Sequence, residues 1–316
     1  MLVYIGTGAF GASVLEHSIS LGVVFNALVT SPNSASSRRG LAMQPSKAEV
    51  AARNLGIPVW HAKTAKEVEA ALEDIAGDTG IDTIVVCDFG VIISEKATSM
   101  AKIEAMNVHP SLLPLYRGAA PIARMVMDGQ MESGATIIKV APKLDAGDII
   151  VQKRANVDNM TFSQASEKLA ALSGECVAQA IAETQLGIAQ YVKQDESKVT
   201  ITRKISKEEL RIDFSKPASH VVQLVRSLDS EPGAYALLSG KRVKLFSASL
   251  HDSASQEGLA PGQIAGFDKQ TGNLVINSQN GSVAIGKLKP EGSRMMAARD
   301  FYNGLANKSQ KFEYNE

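Results

Sequence analysis

The chain has 316 residues, 45% of them hydrophobic, and its 33 basic side chains balance 33 acidic ones. Zero net charge argues against a protein that coats nucleic acid, and no apolar run approaches the length of a membrane span or forms a secretory leader. A cytoplasmic protein of two domains is therefore expected, with the two cysteines, Cys87 and Cys176, read as buried small hydrophobes.

The charge is uneven along the chain. Residues 1–197 carry 16 Lys and Arg against 21 Asp and Glu, whereas residues 198–316 carry 17 against 12. A basic C-terminal third suits a polyanionic partner, with ordinary scatter of solvated charge as the competing explanation.

Leu2 to Ile5 reads as a first strand, followed by Gly6-Thr7-Gly8-Ala9-Phe10-Gly11 and an amphipathic helix carrying Val14, Leu15 and Ile19. That is G-x-G-x-x-G between a strand and a helix, the context of a dinucleotide site. The ribose-binding acid is missing: no Asp or Glu lies between Val24 and Lys47. An NADP-linked oxidoreductase using Gly6, Gly8 and Gly11 stays open, against a plain tight turn. After a second strand, Val23 to Thr30, residues 31–46 lack apolar periodicity and contain Arg38-Arg39, which suits either a phosphate-gripping loop or a solvated one. A helix near Pro45 to Leu55, a strand at Pro58-Val59-Trp60, a helix near Ala65 to Ile75 and a strand at Thr83 to Cys87 continue the pattern. Alternation of this kind predicts a doubly wound, mostly parallel α/β sheet with ligands at the carboxyl ends of its strands.

Asp88-Phe89-Gly90-Val91-Ile92-Ile93 follows the fourth strand, and Phe89, Gly90 and Ile92 there suit either a pocket for a flat heterocycle or ordinary packing. Ile103 to Val108 is the next strand, running into Asn107-Val108-His109-Pro110-Ser111-Leu112-Leu113-Pro114. Side chains alternate along a strand, so Asn107 and His109 face one side about 7 Å apart. Pro110 and Pro114 end the strand and stiffen the loop; Gly118 permits a turn, and Pro121 opens a helix. An amide, an imidazole and a hydroxyl are thus held at the end of a buried strand. Gly134 to Val140 and Ile149 to Lys153 are further strands joined by a turn containing Asp145 and Asp148, where an acid is commonly only a turn former. Residues 161–186 are helical.

Gln190 to Ile205 is polar and charged and reads as a linker, so the expected domains are 1–190 and 206–316, joined by 191–205. Beyond it come a helix around Ala218 to Leu228, short strands at 234–238, 242–247, 262–267, 274–277 and 282–288, and a last helix at 297–305. Short strands at this spacing predict a small OB-like β-barrel. No His, Cys and Asp grouping has metal-ligand spacing.

Asn107-Val108-His109, Ser111-Leu112-Leu113-Pro114, Arg117-Gly118-Ala119-Ala120-Pro121-Ile122 and Leu144-Asp145-x-Gly147-Asp148 together resemble the folate-dependent formyltransferases. Pro232-Gly233-Ala234-Tyr235, Lys241-Arg242 and Met295-x-Ala297-Ala298-x-Asp300-Phe301-x-Asn303-Gly304 extend the resemblance, within that group, to the methionyl-tRNA formyltransferase family. The resemblance implies a catalytic domain that binds 10-formyltetrahydrofolate and a barrel that helps hold initiator methionyl-tRNA. By the same resemblance Asn107, His109 and Asp145 are catalytic, and Ser111, Leu112, Leu113 and Pro114 contact folate; Phe89, Gly90 and Ile92, read above as a pocket for a flat heterocycle, are the further folate candidates, although Asp88-Phe89 departs from the family pattern. Arg38, Arg39, Arg203, Lys204, Lys241 and Arg242 become candidates for tRNA contact. No metal is expected, and a monomer is. The rival expectations are formylation of a sugar or other small amine, the oxidoreductase, and a non-catalytic RNA-binding protein.

Overall fold

The computed structural model describes residues 1–32, 44–251, 259–308 and 310–313. In chain order the first part comprises β1 (Leu2–Gly6), α1 (Ala9–Ser20), β2 (Ala27–Thr30), α2 (Lys47–Asn54), β3 (Val59–His61), α3 (Ala65–Ala76), β4 (Ile81–Cys87), α4 (Glu95–Ser99), β5 (Ala101–His109), β6 (Arg117–Gly118), α5 (Pro121–Met127), β7 (Glu132–Lys139), β8 (Ile149–Asn156) and α6 (Phe162–Gln185). Then follow β9 (Ile201–Thr202), α7 (Ala218–Ser227), β10 (Tyr235–Leu238), β11 (Lys241–His251), β12 (Ile264–Phe267), β13 (Leu274–Ser278), β14 (Gly281–Pro290), β15 (Met296–Ala297), α8 (Ala298–Gly304) and β16 (Phe312–Glu313).

The main N-terminal sheet has the order β3-β2-β1-β4-β5-β7-β8, parallel as far as β5 and antiparallel beyond it. Its strands send alternate residues to two cores. Tyr4, Leu28, Val85, Met106 and Val108 pack in one cluster with α1 and α6 residues, and Val3, Ile5, Val29, Ile84, Val86 and Ala105 in another with Val68 and Leu72 of α3. Helices start where the sequence supplies caps: Ser46 accepts from Glu49 N, Thr64 from Glu67 N and Ser94 from Ala97 N. Both cysteines are free and buried, and burial pushes the Cys176 thiol up to about 12.

The C-terminal sheet is antiparallel, in the order β12-β13-β14-β11-β10-β16. A bridge between Gln263 and Lys311 joins its two ends, with Ile264 N donating to Gln310 O and Phe312 N to Gly262 O. The strand path thus closes on itself as a small barrel. Its core includes Phe214, Val221, Leu245, Ile276, Ile285 and Phe312.

The chain separates into one unit of 1–121, 132–156 and 166–202 and another of 122–131, 157–165 and 203–316. Neither unit is one continuous stretch of chain. Residues 122–131 and 157–165 cluster with the C-terminal unit, and most of the expected linker, through Thr202, belongs to the N-terminal one. The physical reason is that β9 pairs in parallel with β6, so the polar stretch is bonded into the first unit.

Candidate active site

The site is built at the carboxyl end of β5, where the sheet changes from parallel to antiparallel. Met106 and Val108 anchor that strand in the core, which turns Asn107 and His109 to the opposite face. After His109 the chain is held by one threonine. Thr136 Oγ1 donates to Ser111 O (2.6 Å) and accepts from Leu113 N (3.3 Å) and from Gln152 Nε2 (2.9 Å), while Gln152 also donates to Leu113 O (2.9 Å). The Ser111 hydroxyl is itself buried and donates to Leu115 O at 2.6 Å. It stiffens the turn; Leu113 is likewise buried, and Leu112 and Pro114 are half-buried.

Asp145 comes from the turn between β7 and β8, where its φ of +50° is a conformation L residues rarely take. A Cβ on neighbouring Gly147 would lie 1.7 Å from Lys139 O, so only glycine lets the turn close against β7. The Asp145 carboxylate gathers three groups. Gly118 N donates to Oδ2 at 2.8 Å, Asn107 Nδ2 donates to Oδ1 at 3.4 Å, and His109 Nδ1 faces Oδ2 at 3.6 Å. The His109 and Asp145 side chains are only 6% and 9% exposed, so little water dilutes their interaction.

His109 Nε2 lies 2.8 Å from Tyr116 O. A carbonyl only accepts, so Nε2 carries the proton, and Nδ1 is the nitrogen left to exchange one. With Nδ1 protonated the ring is a cation facing a carboxylate; without that proton a lone pair faces it. The Tyr116 carbonyl thus fixes the ring tautomer, and Asp145 meets the other nitrogen. Amide, imidazole and carboxylate thereby converge on one small space.

Because Cys87 is in register with Val108, the 88–93 segment emerges beside this space. Phe89 and Val91 are half-buried, Gly90 is exposed, and Ile92 is 84% exposed, an apolar surface suited to a flat ring. The segment also removes the nicotinamide reading. Asp88 Oδ2 accepts from Gly11 N at 3.4 Å, and a Cβ on Gly8 would meet that oxygen at 2.0 Å. A carboxylate therefore occupies the helix N-terminus where a pyrophosphate would sit.

What the sequence reading missed is the bonding of residues 194–202. Gln194 Nε2 donates to Asp145 O (2.8 Å) and Gly147 O (2.7 Å), and its Oε1 accepts from Arg117 Nε (3.0 Å). Arg117 Nη2 donates to Glu196 Oε1 at 2.6 Å, Lys143 Nζ donates to Glu196 Oε2 at 2.9 Å, and Tyr116 N donates to Thr200 Oγ1 at 2.7 Å. The Arg117 bond, then that of Lys143, pulls the Glu196 carboxyl down to about 2. The β-branched run Thr200-Ile201-Thr202 was the available signal for a strand in this stretch.

The remaining candidates are dispersed. Arg203 and Lys204 are exposed in side chain and offer their carbonyls to Arg124. Lys241 and Arg242 are exposed on β11, and Arg242 stacks over the Tyr235 ring at 4.7 Å. Arg242 borders a cavity of about 350 Å³ on the barrel, lined also by Lys244, Lys289 and Glu291. Arg38 and Arg39 lie outside the described residues. His17 and His61 pair with Glu167 and Glu49. Among the described residues no group of three or more His, Cys, Asp and Glu could hold a metal ion, and no helix is long and apolar enough to cross a membrane.

A doubly wound sheet ending in this carboxylate-centred cluster, followed by a small barrel, defines a formyl-transferring architecture, and the chain belongs to the formyl transferase family. Residues 2–181 match the family's Formyl transferase model, and residues 204–306 match that of the Formyl transferase C-terminal domain. Within the family the chain is similar to methionyl-tRNA formyltransferases. It is 34% identical to that of Thermotoga neapolitana over 314 residues, 99% of this chain and 98% of the relative. It is 36% identical to that of Bradyrhizobium diazoefficiens over 313 residues, 98% and 97% respectively.

Solved structures agree in fold. HypX from Aquifex aeolicus, in complex with tetrahydrofolic acid, superposes with a TM-score of 0.68 at 16% identity, covering 100% of this chain and 51% of that one. The methionyl-tRNA formyltransferase of Clostridium thermocellum gives 0.53 at 15%, covering 80% and 94%.

Proposed function

We propose that the protein transfers the formyl group of 10-formyltetrahydrofolate to the amino group of methionine on initiator methionyl-tRNA. The observation that carries this reading is the meeting of Asn107, His109 and Asp145 around one buried carboxylate. In the reaction the amine nitrogen attacks the formyl carbon, the carbonyl oxygen becomes an oxyanion, and collapse expels the folate nitrogen, which takes up a proton. Such chemistry needs hydrogen-bond donors aimed at the oxyanion and an acceptor for the amine proton. Asn107 Nδ2 has a second hydrogen beyond the one given to Asp145, and that is the donor offered to the oxyanion. Asp145 is the acceptor, directly or through water. Phe89, Gly90, Ile92 and the Ser111–Pro114 turn are the proposed walls of the folate site.

The tRNA is assigned to the second unit and to exposed Arg203, Lys204, Lys241 and Arg242, which suit a phosphate backbone. A monomer working in the cytoplasm fits that role. Incubation with 10-formyltetrahydrofolate and either charged or uncharged initiator tRNA, following tetrahydrofolate release, tests the reading. Release is expected with methionyl-tRNA alone. Release only with an amino sugar nucleotide would move the acceptor to a small amine, and tRNA retention without release would leave an RNA-binding protein.

A further inference from the structure

We infer that Gln194 is a positioning residue for formyl transfer, clamping the Asp145 turn so that its carboxylate meets His109. The inference rests on the function proposed above. One side-chain amide uses both hydrogens and its oxygen at once: Nε2 holds the carbonyls of Asp145 and Gly147, and Oε1 holds Arg117 Nε. The turn it grips needs holding, since Asp145 sits at φ +50°. Arg117 is 3% exposed in side chain and follows Tyr116, whose carbonyl takes His109 Nε2. Both partners of the imidazole are therefore set from residues 194–200: Asp145 through Gln194, and Tyr116 through Gln194–Arg117 and the Thr200 hydroxyl. Glu196 completes a ring, binding Arg117 on one oxygen and Lys143, two residues before Asp145, on the other. An outer layer of this kind keeps reacting groups aligned, and a misplacement of about 1 Å can cost roughly 10²-fold in rate.

Two substitutions separate clamping from mere packing. Gln194→Leu removes all three bonds at nearly constant volume. Gln194→Glu keeps the acceptor for Arg117, so the fold retains that tie, but removes both donors and sets an acid against two carbonyls. Both variants are expected to lose about 10–100-fold in kcat, with KM for 10-formyltetrahydrofolate and for methionyl-tRNA changed by less than about 3-fold. In protein labelled with ¹⁵N-histidine, the His109 ring signals, assigned by their loss in His109→Asn, should move in both. Gln194→Glu with wild-type kcat and unmoved His109 signals would overturn the inference, as would a loss carried by KM alone. A wild-type protein that formylates no tRNA would defeat the functional reading instead, and the ring signals would still decide whether Gln194 sets the His109 environment.

Discussion

Asn107 Nδ2 carries two hydrogens, and the 3.4 Å contact to Asp145 uses one of them. The other is available to the oxygen that becomes negative during attack. Removing a single oxyanion donor typically costs about 10²–10³ in kcat. Asn107→Ala should lose that much, with KM for both substrates near wild type, because the donor matters chiefly in the transition state. Steady-state kinetics on methionyl-tRNA checks it, and a loss under tenfold would remove Asn107 from the chemistry. The pairing of Asn107 with His109 was legible in sequence because an i, i+2 relation on a strand is local geometry. Asp145 was legible only through the family pattern: nothing local distinguishes an acid that crosses 36 positions of sequence to reach a histidine from one that merely shapes its own turn.

Elements differ in legibility for the same reason. β4, β5, α3 and α6 advertise themselves through apolar runs or helical periodicity, and the structure places them within two or three residues of the expected bounds. β6 and β9 are two residues each and exist only because they pair across 84 positions, Arg117 with Ile201 and Gly118 with Thr202. Polar residues that bond buried loops look like a linker until their partners are known. Gly118 is the weak point of this pairing. Its φ is +103°, and a Cβ there would lie 2.4 Å from Thr202 O. Gly118→Ala must either strain the backbone, at roughly 1–3 kcal/mol, or part the two strands. Its melting temperature should fall by roughly 2–10 °C, and kcat should fall with it because Gly118 N is a ligand of the Asp145 carboxylate. Calorimetry beside the activity assay reads both.

On the barrel, β11 and β14 set Lys244 directly opposite Lys289, with Tyr235 facing Lys244 from β10. Like charges opposite one another in a sheet cost stability, a cost that a bound polyanion would offset. Lys244→Gln combined with Lys289→Gln should therefore leave the melting temperature unchanged or higher while weakening tRNA binding. If each lysine meets one phosphate, the slope of log affinity against log salt should become shallower by about 1.8 in total. An unchanged slope would place the tRNA elsewhere.

Among the described residues, each unit carries a strongly bound acid that ties distant stretches of chain. In the first, Glu196 joins Arg117 and Lys143 across more than fifty positions; in the second, Glu209 takes both ends of the Arg124 guanidinium. Arg117 and Lys143 hold the Glu196 carboxyl at about 2 instead of 4.5, and Arg124, followed by Ser206, does the same for Glu209. A carboxyl whose folded pKa is depressed stabilises the fold fully above its unfolded value, and that contribution disappears as pH falls through the folded value. Stability should thus decline from about pH 4.5 toward pH 2 through these two groups. Glu196 is exposed at its carboxylate, so solvent screens it and salt should weaken its share. Glu196→Gln and Glu209→Gln should each lower the melting temperature at pH 7, and each difference from wild type should shrink steeply as pH falls from about 4.5 to 2. Their effects should add, because they act in separate units with no shared partner. Thermal scans of the wild type, both single variants and the double variant across pH 2–7 test this, and a deficit that persists undiminished at pH 2 would show that the carboxylate charge is not what ties these segments.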